Sequence, residues 1–402
     1  MLATNFGLVI SEDDGATWEW ACEPRVDDNT ILYQQAAAPS DRLFAVLINH
    51  GLLYSDDGAC TWTRAGGTLA TVNARDAFAD PTNPARIFAV GAEPSASFVP
   101  SSVYRSDDAG LTFGAALDTA PVGGDMLGVE SSASDPATVY LAMYGTMGTV
   151  PGMLEPLLGR SSDGGAHWSS MTLATSLGAN AFRIIAVDPT NPLRLFLRVT
   201  EAHGEKIAVS SDGGQSFAEP VSVSDQLTAF VRLPSGTLLL GGLDGGNGVA
   251  FRSTDAGASF QPLPLPPRLA DGSAPAPPHL RALAVRDGKL YGAGDNFKDN
   301  FALGVSADEG VTFQPLLTFN QVKRVKPCVQ EVCREVCDNL AGLTLWPAEV
   351  CGASPPPPAK SGCGCDLAGQ PSAPALCLAQ LALIGLLVRR RRPLKRRPQL
   401  PN

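Results

Sequence analysis

Eight residues recur seven times along this chain, and no other feature constrains its fold as strongly. The pattern Ser-x-Asp-x-Gly-x-(Thr/Ser/His)-(Trp/Phe) occurs at Ser11–Trp18, Ser106–Phe113, Ser161–Trp168, Ser210–Phe217, Ser253–Phe260 and Ser306–Phe313. A seventh copy, Ser55–Trp62, is degenerate: Ala59 stands where the others carry glycine, and Gly58 comes one place early. Successive serines lie 44, 51, 55, 49, 43 and 53 residues apart. Self-similarity at such a period marks a repeat architecture, in which each unit is one supersecondary element.

Each position has a physical reason. The aspartate accepts hydrogen bonds from nearby backbone N–H groups and so organises a turn locally. The glycine supplies a positive φ that other residues reach only at a cost. The aromatic opens the next strand with a large apolar surface. Upstream of the octapeptides come Asp80–Val90, Ser134–Met143 and Val187–Leu197, in which Asp-Pro and Asn-Pro turns precede short apolar runs. A second run, such as Gly51–Ser55, then leads into the octapeptide. One unit therefore reads strand, turn, strand, turn, strand, octapeptide, strand. Four strands in about 40–50 residues is the size of a propeller blade.

The octapeptide resembles the Asp box, or BNR repeat, of sialidases, sortilin-type receptors, oligoxyloglucan-type glycosidases and photosystem assembly factors. The match spans residues 1–318. It implies an all-β propeller of six or seven four-stranded blades, with the octapeptides on the outer turns away from the substrate mouth. It also implies a structural role for Asp13, Asp57, Asp108, Asp163, Asp212, Asp255 and Asp308.

The patterning stops near Leu317, and three further segments follow: 319–353 with four cysteines, a Pro-rich linker over 354–372, and 373–402. Ala373–Val388 is sixteen uncharged residues, slightly short of a full helical span of about 20. Seven Arg or Lys residues close the chain after it, so the net charge of −10 leaves −17 on residues 1–388. An acidic body argues against nucleic acid as a partner. Basic residues beside an apolar span stay cytoplasmic, which points the body outward. With Gly362-Cys363-Gly364-Cys365, this tail resembles the myxobacterial C-terminal sorting domain (MYXO-CTERM). That resemblance implies processing near Cys363 and Cys365, membrane attachment through the helix before processing, and display on the cell surface.

An exported body favours disulfides for Cys328, Cys333, Cys337 and Cys351, because their spacings do not form the paired C-x₂-C elements of a zinc site. Their pairing is open. The chain begins two strands before its first octapeptide, without the charged and apolar regions of a signal peptide. One reading is a start that has lost the signal peptide and the first strand. The other is a strand within Thr318–Cys328 that closes the ring onto this blade.

Catalysis needs a constellation, and none is evident. Ala181–Ala186 (AFRIIA) is the nearest approach to a sialidase FRIP element, but it lacks the proline and reads as a plain strand carrying Arg183. Loops able to reach the mouth hold Asp125, Glu201, His203, Asp244, Asp295 and Asp299. Two carboxylates about 5–10 Å apart would be the minimum for a glycosidase. Such acids otherwise remain solvated, or chelate calcium. His203 and His279 read as incidental. The expectation is a non-catalytic, surface-anchored binding module for a polysaccharide or an envelope protein, without cofactor. The rival is a secreted glycosidase.

Overall fold

The computed structural model describes residues 1–24, 30–36, 40–47, 49–94, 100–121, 124–146, 154–178, 180–264 and 276–352. The Gly-Cys-Gly-Cys motif, the apolar run and the basic tail lie outside the described residues. Among the described residues no helix is long and apolar enough to cross a membrane.

Seven four-stranded sheets form a β-propeller. Blade IV shows the plan: Asp125–Ser131, Val139–Gly145, Glu155–Ser161 and Ser169–Thr172 pair antiparallel in that order. The first strands of neighbouring blades contact one another, so they are innermost and surround the channel. Antiparallel alternation puts the turns after the first and third strands at one end of the ring. There the octapeptides meet the Asp-Pro turns directly, as in Gly164 N donating to Ala137 O at 2.8 Å and Gly213 N to Leu193 O at 2.8 Å. The turns after the second strands, and the links between blades, lie at the opposite end, the mouth.

The second strands read as unbroken apolar runs because both their faces are covered. In blade III, Ile87 and Ala89 pack with Phe44, Val46 and Leu52 of blade II, whereas Phe88 and Val90 pack with Met126, Val129 and Leu141 of blade IV. The core is therefore a circle of interblade layers, each fully buried Val, Leu, Ile, Phe or Met in it contributing about 1.5–3 kcal/mol. The octapeptide glycines belong to the same joints. A Cβ on Gly110 would stand 2.5 Å from the Phe44 ring of blade II, and one on Gly214 would stand 2.2 Å from Leu158 of blade IV.

The first and last segments depart from the plan. Leu2–Thr4, Gly7–Ile10 and Glu19–Ala21 take the second, third and fourth places of blade I. The fourth strand of that sheet is Arg324–Val325, inside Thr318–Cys328, but it pairs parallel with Glu19–Trp20 on the outer edge rather than filling the inner place. Lys323 N donates to Trp18 O at 2.9 Å and Lys326 N to Trp20 O at 2.7 Å. Beyond it a helix, Gln330–Gly342, buries only Cys333 and Cys337, which at i and i+4 share one face. Trp346 packs on Trp20 with ring centroids 5.0 Å apart.

All four cysteines of the closing segment are disulfide-bonded, and only one of the bonds is local. Cys337 joins Cys351, whereas Cys333 joins Cys22 and Cys328 joins Cys60, across 311 and 268 residues. Cross-links over such long loops remove unfolded-state entropy worth about 5 kcal/mol each in the chain-entropy account.

Candidate functional site: the octapeptide turns and the channel mouth

All seven octapeptides sit on the turn between third and fourth strands and close it with one hydrogen-bond pattern. In blade V, Ser210 Oγ donates to Asp212 Oδ1 at 2.8 Å and accepts from Gly214 N at 2.9 Å. Asp212 then accepts Ser216 N at 3.0 Å and Ser216 Oγ at 2.6 Å. In blade IV the seventh position is His167, whose Nδ1 lies 2.6 Å from Asp163 Oδ2. The backbone takes a positive φ twice in succession, at 55–77° in the fourth position and 71–95° in the fifth. Ala59 follows the same path at φ 71°, and its N–H still reaches Ser55 Oγ at 2.9 Å. Its methyl group is tolerated because it packs with Leu8, the small Ala21 and Leu43. The neighbouring Cys60 is where the closing segment is fastened.

These donors hold all seven carboxyls below their ordinary pKa. For Asp212 the Ser216 hydroxyl and then the Ser216 N–H bring it to about 2. Asp255 is likewise brought to about 2, by Ser259. Each carboxylate is committed to its own turn.

Asp125, Asp244, Asp295 and Asp299 stand at the end opposite the octapeptides, spread over three blades and already engaged. Asp125 opens the innermost strand of blade IV and pairs with Arg75 at 3.1 Å. Asp244 ends the second strand of blade VI, accepts Ser224 N at 2.9 Å and also binds the Ser224 hydroxyl. Asp295 and Asp299 share one loop of blade VII. Asp295 accepts the N–H groups of Phe297 and Lys298 at 3.1 and 3.2 Å. Asp299 accepts Asp295 N at 2.7 Å, His279 N at 3.0 Å and His279 Nδ1 at 2.8 Å. His279, read from the sequence as incidental, is thus tied to that loop from the segment that precedes Ala282. Glu201 pairs with Lys206 at 2.9 Å. Among the described residues no group of three or more His, Cys, Asp or Glu could hold a metal ion.

The channel contains two acids that sequence reasoning passed over. Five innermost strands carry a β-bulge, between Thr30 and Leu32, at Arg75, between Met126 and Gly128, between Ile184 and Ala186, and between Leu227 and Ala229. A bulge frees backbone groups from the ladder, and side chains of neighbouring blades take them up. Asp76 of blade III accepts Val129 N of blade IV at 3.1 Å, and Arg183 of blade V donates to Leu127 O of blade IV at 2.6 Å. Arg183 therefore lies on an ordinary strand, as expected, but works across two blades. Desolvation raises Asp76 to about 6 against the pull of its backbone donors and of Arg183. Desolvation raises Glu130 well above the ordinary range, and the Asp76 charge adds to it. The signal was charge inside the innermost strands Asn73–Ala79 and Asp125–Ser131, which carry two charged residues each.

Between blades V, VI and VII the channel wall opens into a cavity of about 260 Å³, lined by Ile185, Arg198, Leu227, Thr228, Phe230, Ala282 and Leu283 among others. Ala282 pairs in register with Ala293, two residues before Asp295, and the neighbouring Arg281 lies 3.9 Å from Asp295.

No family model and no curated protein matches the chain. Among solved structures, the GH74 xyloglucanase from Xanthomonas campestris is similar at TM-score 0.47 and 20% identity, over 71% of this chain and 45% of that one. The GH74 enzyme of Niastella koreensis follows at 0.42 and 15%, over 78% and 46%. YCF48 from Cyanidioschyzon merolae gives 0.36 and 14%, over 61% and 71%. The chain spans less than half the length of the first two. These are distant likenesses, and the propeller stands on its own strand pairing: seven four-stranded blades closed by a C-terminal segment.

Proposed function

We propose that the octapeptides are structural Asp boxes and that the protein is a binding or interaction module displayed on the bacterial cell surface. One observation carries this reading. Asp125, Asp244, Asp295 and Asp299 each serve a turn or an ion pair, leaving no pair of unengaged carboxylates among those four acids of the mouth. Three disulfides support an oxidising compartment. Display would run through the tail with Cys363 and Cys365. A chain ending near residue 360 is then expected in the medium; its retention with membranes would remove the anchoring part of the reading.

Asp76 and Glu130 favour a second reading. Two neighbouring channel carboxyls with raised pKa are the raw material of a glycosidase, one held protonated as acid beside one that ionises. Assay against a panel of aryl glycosides separates the two. The binding module shows no turnover. Turnover lost in both Asp76→Asn and Glu130→Gln, with folding retained, would establish the enzyme.

A further inference from the structure

The loop Gly294–Phe301 of blade VII is built more firmly than a plain connection requires. Two aspartates and a histidine fix its path, Asn296 Oδ1 accepts Phe319 N of the closing segment at 2.9 Å, and Asp299 N donates to Asp295 O at 2.8 Å. Phe301 anchors its far end, 5% exposed and stacked on Phe313 at 5.9 Å. What this framework presents is Phe297, 69% exposed. A rigid loop holding an aromatic ring in water forgoes that ring's burial, and the usual return is a binding contact with little ordering entropy left to lose.

We propose that Phe297 is a stacking platform for a pyranose ring of a neutral polysaccharide. The proposal rests on the binding-module reading and names its ligand class. Two observations select that class. The body carries −17 over residues 1–388, which disfavours an anionic polymer. Phe297 stands next to Lys298 in a loop of polar residues, with Arg281 3.9 Å from Asp295, a setting suited to sugar hydroxyls; a protein hot spot would want a surrounding apolar ring that excludes water.

The test is affinity electrophoresis of the full chain through gels containing hydroxyethyl cellulose, xylan or galactomannan, with polygalacturonate as the anionic arm. Wild type should be retarded by at least one neutral polymer and by none of the anionic arm. Phe297→Ala should weaken retardation about tenfold or more without changing Tm, and Phe297→Trp should restore it. Asp299→Asn, which loosens the loop while leaving the ring, should weaken it as well. Equal retardation of wild type and Phe297→Ala overturns the platform and leaves the binding module intact. No retardation of wild type by any neutral polymer, or retardation by polygalacturonate alone, overturns the carbohydrate assignment. Turnover of aryl glycosides, scored separately, bears on the broader reading alone.

Discussion

At one end of the ring an aspartate sits below its ordinary pKa seven times over; inside the channel Asp76 and Glu130 sit above theirs. The chemical group is the same, and the difference lies in what surrounds it. In the turns each carboxylate is near water and meets N–H and O–H donors from its own octapeptide, so the ion is favoured. In the channel, strands from adjacent blades strip water away, and the few donors present do not compensate. Repetition goes with the first condition and singularity with the second. A feature that every blade needs is copied, and a feature that only one sector carries is where a specific role would reside.

That contrast can be broken by substitution. The largest effect is expected at the joint that has no repeat: Cys22→Ser, which opens the link to Cys333, should lower stability by about 2–5 kcal/mol in chemical denaturation under non-reducing conditions. Close behind comes Gly110→Val, which puts a branched side chain at φ 82° against Phe44, with a cost of about 2–4 kcal/mol and a lower Tm.

Next is pH. The folded pKa of Asp76 is raised, so the native state binds the extra proton and stability falls as pH rises from the ordinary carboxylate range to about 6. The turn aspartates act oppositely, because their folded pKa values are depressed. The stability they contribute is present above the ordinary range and is lost as pH falls towards about 2. Asp76→Asn should reduce the upper slope by about 1–3 kcal/mol, keeping the part that Glu130 contributes, and leave the acid limb unchanged. An undiminished upper slope in that variant would mean that Asp76 is not one of its sources.

Ser210→Ala should cost about 1–2 kcal/mol, because Gly214 N–H loses its acceptor in a buried corner. The smallest effect belongs to Ala59→Gly. The path already suits glycine, but the methyl group fills space beside Ala21, so the change should stay within about 1 kcal/mol.

Much of the ring was legible from residues alone, and for a physical reason. The octapeptide turn is closed by donors and acceptors within eight residues, so its geometry is encoded locally and can be recognised locally. The apolar second strands, such as Ile87–Val90, are legible because burial on both faces leaves no polar alternation. The closing helix Gln330–Gly342 was not, although Cys333, Val336, Cys337, Leu340 and Ala341 recur at helical spacing and pack against the core: the cysteines of that segment read first as cross-links. The partners Cys22 and Cys60 were missed because disulfide pairing depends on distance in space across 311 and 268 residues. Asp295 and Asp299 were legible as loop residues. Their consumption by His279 and by the loop's own N–H groups depends on angles that spacing does not carry.

The amino-acid order by itself settled the unit, its strand content and the turn that joins its outer strands, because these are held by contacts a few residues long. The number of blades, the outer position of Arg324–Val325, the covalent closure and the raised acids of the channel were decided by tertiary structure. Each requires groups from distant parts of the chain to meet, and whether Asp76 loses its water depends on what blades IV and V place against it.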